Sequence, residues 1–190
     1  PAIEQTVRVS PRKKQFLVGF LSVYVALQVL LPLRHFCYPG DVKWTNEGYS
    51  FAWLMKSRNQ VVAFRMYVTD NKTGRTGIID LGRYLAMHQI PRIGGDLDMV
   101  LDFKDYLRAK LQRQGHDDIE IHALILASLN GRTPQLMIDP NVDLVPQHRT
   151  LLGHPLILPL TEPLRETAWN VPLTQWEQHP DVKTQLVKPK

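Results

Sequence analysis

The clearest pattern in this sequence is an apolar run near its start that contains no charged residue. Residues 16–33 read FLVGFLSVYVALQVLLPL. As a helix this run covers about 27 Å, close to the thickness of the hydrocarbon core of a bilayer. The pattern predicts a transmembrane helix over 16–33, with a buried helix of a soluble protein and a cleaved signal peptide as alternatives. No small-residue cleavage site follows the run, which favours the membrane span.

Basic residues precede this run and set its predicted orientation. They are Arg8, Arg12, Lys13 and Lys14. By the positive-inside bias, segment 1–15 is predicted to lie in the cytoplasm, and the chain beyond the span in the periplasm or another extracytoplasmic space. Tyr24 and Gln28 place polar side chains within the span. Because such side chains usually face other helices, we expect further transmembrane helices of the same protein or of a partner beside this one in the lipid bilayer.

Two hairpins are predicted in the part of the chain that follows. Residues 60–69 alternate partly between apolar and polar positions and are rich in β-branched residues, which is typical of a strand. A turn signal, DNKTG, separates them from a second strand over 76–81. Residues 119–129 predict a third strand, which an Asn-Gly turn joins to a fourth over 135–138.

A single amphipathic helix is predicted between the hairpins, over 96–114. Its apolar positions recur at spacings of three and four, at Val100, Phe103, Leu107 and Leu111. Gly94-Gly95 is expected to supply the turn at its N-terminus, and Gly115 to end it. The order β-β-α-β-β predicts an α+β domain with an antiparallel sheet over 34–145.

Prolines recur throughout segment 146–190. Because proline removes a backbone donor and interrupts regular structure, this tail is predicted to be extended and to wrap a surface. Trp169 and Trp176 are expected to hold it in place, and residues 181–190 to be loose.

Composition narrows the classes of function. The 190 residues suffice for one domain, and the net charge of +5 comes from charges of mixed sign, which argues against a nucleic-acid partner. One cysteine, Cys37, excludes an internal disulfide. The seven histidines are scattered without ligand spacing, so no metal site is predicted.

Four short segments, in order, resemble the C-terminal half of vitamin K-dependent γ-glutamyl carboxylase and its bacterial relatives, the horizontally transferred transmembrane (HTTM) domain proteins. They are LPLRHF at 31–36, WTNEGYSFAWLM at 44–55, GRTG at 74–77 and DPNVD at 139–143. The aromatic segment at 44–55 is the most specific of the four. The resemblance extends over about residues 16–150.

This resemblance implies a reaction. In the family, peptide glutamate is converted to γ-carboxyglutamate, and the oxidation of vitamin K hydroquinone to an epoxide supplies the strong base that removes the γ-proton. By resemblance, Tyr49 and Trp53 hold the glutamate substrate, with Trp44 nearby, His35 at the membrane exit, and Arg92 suited to the substrate carboxylate. A guanidinium can bind a carboxylate through two parallel hydrogen bonds. The alternative is that these aromatic residues form an interfacial belt or part of the core.

The sequence also departs from the family. Gly48 and Leu54 stand where the mammalian enzyme has a larger apolar residue and an acidic one, which puts the substrate preference in question. The family's catalytic lysine and quinone pocket lie in preceding membrane helices, and its propeptide-binding region lies further towards the C-terminus. We therefore expect the substrate-facing part of a carboxylase-like protein, with a non-catalytic accessory or structural subunit of a membrane complex as the alternative.

Overall fold

The computed structural model describes residues 10–54, 58–150 and 153–186. Its first element is helix α1, Pro11–Leu33, which a 3₁₀ turn over Arg34–Cys37 prolongs. Nearly all side chains of α1 are exposed, Pro32 being the exception. Among the described residues, this helix is the one whose length and composition suit a membrane span. The predicted helix over 16–33 is confirmed, whereas Arg8 of the basic flank lies outside the described residues.

The domain that follows is built on two long central strands. Strand β1, Gln60–Asp70, pairs antiparallel with β3, Ile119–Leu129, along its whole length. Both strands were predicted almost residue for residue, because β1 alternates partly between apolar and polar positions and β3 is a short apolar run that an Asn-Gly turn ends. Their pairing was not predicted, since it joins segments about fifty residues apart.

Each central strand carries a short edge strand, which gives the order β2-β1-β3-β4. Strand β2, Arg75–Ile78, is shorter than the predicted 76–81, because the chain turns into a 3₁₀ segment at Leu81–Arg83. Strand β4, Gln135–Leu136, is likewise shorter than 135–138. Beyond it, Ile138 forms a bridge with Ile157, so the chain after β4 borders the sheet there. The predicted α+β class with an antiparallel sheet is confirmed.

Helices cover one face of the sheet. Helix α4, Leu97–Arg113, begins at Asp96, whose side chain accepts a hydrogen bond from the Met99 N–H. Its buried stripe packs against inward-facing residues of the central strands, among them Met66, Ile121 and Ile125. Two short helices were not predicted, α2 over Val42–Thr45 and α3 over Gln89–Gly94.

Gly95 forms the turn before α4, as predicted, whereas Gly94 differs from its predicted role because it is the last residue of α3. A Cβ at Gly94 would lie 2.6 Å from the Cβ of Phe64 in β1. The absence of a side chain therefore lets α3 approach the sheet closely, which brings the residues of α3 near the start of β1.

The opposite face of the sheet is covered by the end of the chain. A 3₁₀ segment over Leu173–Gln178 buries Trp176, and helix α5, Pro180–Leu186, buries Val182 against Leu124 and Leu126. The prediction that residues 181–190 are loose is wrong for 181–186. Val182 supplies the apolar contact that fixes this helix, a signal hidden by the surrounding prolines. Residues 187–190 lie outside the described part.

Candidate functional site

The segment after α1 folds back against the exit of that helix. The guanidinium of Arg34 donates a hydrogen bond to the Ser50 carbonyl at 3.1 Å. Gly48, with a φ of +68°, lies so close that an added Cβ would sit 2.8 Å from the Tyr38 ring and 3.0 Å from the Cα of His35. The position where the sequence departs from the family is therefore one that this packing reserves for glycine.

Trp44 is a core residue in this structure. Its side chain is 1% exposed, and its indole N–H donates to the Leu158 carbonyl at 2.8 Å. It fixes α2, so that Asn46 follows in the left-handed conformation at the end of that helix. Contact of Trp44 with a substrate stays a prediction, and its packing assigns it a positioning role.

His35 and Trp53 lie apart from the cavity described next. His35 belongs to the 3₁₀ turn at the end of α1, and its Nδ1 atom lies 2.7 Å from the Pro32 carbonyl oxygen. Trp53 is 76% exposed. Neither lines that cavity, so their predicted substrate contacts stay predictions.

Tyr49 and Arg92 line the same cavity, of about 560 Å³. It lies between the segment 46–50, which follows helix α2, the start of β1 and helix α3. The Tyr49 ring is half-buried, and its hydroxyl donates to the Leu54 carbonyl at 2.9 Å. Arg92 is exposed on α3. The structure thus brings together two of the five residues that the sequence nominated for substrate binding.

Arg58 is the central residue of this cavity, and sequence reasoning missed it. Its guanidinium donates to Asn46 Oδ1 at 2.6 Å, to the Gly95 carbonyl at 3.0 Å and to Gln60. It also lies 5.8 Å from the centroid of the Tyr49 ring. No local sequence pattern predicts that this arginine is partly buried rather than solvated, because Asn46 and Gly95 come from distant parts of the chain.

Burial lowers the pKa of Arg58 from its ordinary value, because desolvation disfavours the charged guanidinium, while Asp96 and Tyr49 act in the opposite direction. Neither Arg58 nor Arg92 forms an ion pair with any residue that the structure describes. The cavity therefore combines two cations with an aromatic wall and retains capacity for an anionic ligand.

A second cavity, of about 610 Å³, adjoins the first and shares Asn46, Ser50, Asp96 and Met99 with it. Two of its carboxylates, those of Asp98 and Asp102, are already paired with cations. Asp98 lies 2.8 Å from Nε2 of buried His154 and 3.4 Å from Nε of Arg149, and Arg149 also pairs with Asp102 at 3.1 Å.

Glu47 completes this second network by accepting the backbone N–H of His154. Desolvation raises the pKa of Glu47 from its ordinary value, and the bond from His154 opposes that rise. Glu47 belongs to the aromatic segment at 44–55, but its partner lies more than a hundred residues away, so no local pattern predicts the pair. Among the residues described, no group of three or more His, Cys, Asp or Glu side chains is placed to hold a metal ion.

An α+β domain that follows one long, exposed apolar helix fits a membrane-anchored protein with a domain outside the bilayer. The family model for "Vitamin K-dependent gamma-carboxylase, lumenal domain" matches residues 13–163. The chain belongs to this family of lumenal domains. No solved structure matches it significantly. The expected membership of a carboxylase-like family is confirmed, whereas the orientation of the helix and the HTTM relationship stay predictions.

Proposed function

We propose that this chain is the substrate-facing part of a γ-glutamyl carboxylase-like membrane protein, and that the cavity of Tyr49, Arg58 and Arg92 receives a peptide glutamate. The observation that carries the proposal is the convergence of two unpaired arginines and a half-buried tyrosine in one cavity beside the membrane helix. Trp53 is exposed at the end of the same segment, where a bound peptide would cover it.

The charges of the cavity favour a carboxylate ligand. Arg58 is desolvated and is held by neutral oxygens of Asn46, Gln60 and Gly95. Asp96 on the cavity wall attracts Arg58 without forming an ion pair, so an entering carboxylate would add a direct bond to a partly desolvated cation. Arg92, exposed on the rim, is free to form the two parallel bonds that a guanidinium makes with a carboxylate.

Tyr49 and Arg58 stabilise each other's position. The tyrosine hydroxyl is occupied by the Leu54 carbonyl, so the ring presents its face and edge to the cavity. A wall of this kind excludes water, which strengthens the attraction between a carboxylate and the guanidinium groups. In a carboxylation site the same exclusion protects a strong base from protonation by solvent.

A quinol does not fit this cavity, because its lining is dominated by charged and amide side chains, among them Arg58, Asp96, Asn46 and Gln60. We therefore derive no step through vitamin K hydroquinone on this chain. We propose that further transmembrane helices, of the same protein or a partner, hold the quinol and the catalytic base, as the resemblance to the carboxylase and HTTM proteins implies.

The proposal is tested by measuring peptide affinity with the full chain in lipid nanodiscs. A glutamate-containing peptide should bind more tightly than its glutamine counterpart. Arg92→Gln should weaken the glutamate peptide about tenfold or more, since a hydrogen bond to a charged group contributes about 1.5–3 kcal/mol, and should bring the two peptides to similar affinity.

Arg83→Gln is the matched control, because this arginine is exposed and paired with Asp80 outside the cavity. It should leave both affinities unchanged. Equal binding of the two peptides by the unmodified chain would contradict the glutamate assignment. Selective binding without γ-carboxyglutamate formation, in a preparation that contains the neighbouring membrane helices and a quinol, would instead support the non-catalytic accessory role.

A further inference from the structure

Two aromatic rings beside the exit of α1 face outward from the domain. Phe36 is 75% exposed and Phe51 is 76% exposed. Isolated apolar residues on a protein surface are ordinary, but each of these two is connected to the residues that directly follow α1. Phe36 belongs to the 3₁₀ turn that prolongs α1, and its ring lies 4.0 Å from that of His35.

The side chain of Arg34 contacts the segment that carries Phe51. The Arg34 guanidinium donates to the carbonyl of Ser50 at 3.1 Å, and its central carbon lies 6.0 Å from the Phe51 ring centroid. Arg34 directly follows the last residue of α1. The Phe51 ring therefore lies at the level where the apolar helix ends.

The backbone of Phe51 is strained, with a φ of +64°. A bulky residue in the left-handed region is a genuine outlier, and such strain persists where the surrounding structure holds it. Here the strain accompanies a ring directed into solvent. Burial of the ring inside the domain does not explain this strain, because the ring is exposed.

We propose that Phe36 and Phe51 insert into the interfacial layer of the bilayer that α1 spans, giving the lumenal domain a second attachment beside its helix. The lipid is favoured as occupant because the site is continuous with the span. Helix α1 is about 35 Å long and the hydrocarbon core about 30 Å thick, so residues just past Leu33 lie in the interface. Aromatic rings concentrate in this layer.

The charge next to the rings fits the same layer. Arg34 has no carboxylate partner among the described residues. Its position at the end of an apolar helix suits contact with lipid phosphates, since arginine side chains reach from apolar surface to the headgroups. Trp53 is equally exposed, but none of the described contacts ties its ring to α1, so we do not assign it to the bilayer.

Spin labels report this depth directly in the full chain reconstituted into vesicles of phosphatidylcholine and phosphatidylglycerol. The native Cys37 is exposed and is the one cysteine in the sequence, so it carries a label beside Phe36 without any substitution. A second protein combines Cys37→Ser with Phe51→Cys. Collision rates with oxygen, which concentrates in lipid, and with a water-soluble nickel chelate are compared.

Cys37→Ser with Ile78→Cys is the matched control. Ile78 is 66% exposed, apolar, and paired with Tyr67, about 23 Å along β1 from Gln60. We expect the ratio of oxygen to nickel collisions to be several-fold higher at 37 and 51 than at 78. The unfolding midpoint of each labelled protein is compared with that of the unmodified chain, and the Cys37 reading stands even if Phe51→Cys fails to fold.

Three outcomes overturn the inference. A ratio at 51 equal to that at 78 places the ring in water, and a high ratio at all three positions shows that the whole domain lies on the lipid. Protection of 51 from both oxygen and nickel shows that protein covers the ring. Because no peptide is used, failure here leaves the proposed glutamate site untouched, and failure of peptide binding leaves the depth measurement unaffected.

Discussion

The two adjoining cavities share a wall but differ in how their charges are compensated. In one, the carboxylates of Asp98 and Asp102 are paired with His154 or Arg149 within the domain. In the other, Arg58 and Arg92 have no carboxylate within ion-pair distance among the described residues. The first arrangement stabilises the folded chain, whereas the second leaves attraction available for a ligand. Adjacent surfaces of similar size and polarity can therefore serve different purposes.

The largest expected effect comes from removing the charge at the centre of the uncompensated cavity. Arg58→Met should lower the free energy of unfolding by about 2–3 kcal/mol, because Asn46 Oδ1 and the Gly95 carbonyl both lose their donor. Glutamate-peptide binding should fall below detection. Thermal unfolding in detergent and peptide titration in nanodiscs measure the two effects.

Arg149→Gln tests the cavity in which Asp98 and Asp102 are paired with cations. Arg149 is more than half exposed and sits on the rim of the compensated cavity. An exposed ion pair contributes about 0–1 kcal/mol, so stability should change little and peptide affinity not at all. If Arg149→Gln weakened the peptide as much as Arg58→Met does, the distinction between the two cavities would be wrong.

At His154 the expected effect on stability is larger than that of Arg149→Gln. His154→Ala removes a buried ring that lies 2.8 Å from Asp98, and should cost about 1–3 kcal/mol of unfolding free energy. Peptide affinity should stay within experimental error, because the histidine belongs to the paired network. His154→Gln retains a donor for Asp98 and should recover part of the loss. A large fall in peptide affinity in folded His154→Ala protein would show that the network reaches the ligand.

The smallest expected effect is a pH dependence at Glu47. Since its pKa is raised on folding, the folded chain binds this proton more tightly than the unfolded chain does. Stability should therefore decline as the pH rises from the ordinary pKa of 4.5 through the raised value. Glu47→Gln should lack this component, so the unfolding midpoints of the two proteins should diverge as the pH rises through that range. Parallel curves would count against the raised pKa.

Much of the fold was predictable because its main elements carry local patterns. Strand β1 alternates partly every two residues, β3 is a continuous apolar run over most of its length, and helix α4 repeats every three to four residues. Helices α2 and α3 are too short for a period to develop. Helix α5 was missed because a proline-rich context suggested extended chain, whereas the burial of Val182 decides its structure.

The site was less predictable, because it depends on contacts between distant residues. Trp44 and Trp53 occur in one aromatic segment, yet one is 1% and the other 76% exposed. The residues next to each tryptophan in the sequence do not predict this difference in exposure. Arg58 meets Asn46 and Gly95 only after β1 and α3 have packed together, which requires Gly94 to lie against Phe64. The resemblance predicted Tyr49 and Arg92 as site residues, and the fold shows that Arg58 lines the same cavity.

The hydrogen bonds of Leu158 bear on how this protein can be dissected. Its carbonyl accepts the indole of Trp44, and its N–H donates to the Met137 carbonyl beside the sheet edge. Gln135 likewise receives the backbone N–H groups of Thr161 and Glu162. A truncation at position 145 would remove the acceptor of the Trp44 indole N–H and the two donors to the Gln135 side-chain oxygen. A minimal version for crystallisation or drug screening should therefore keep the chain through at least Glu162.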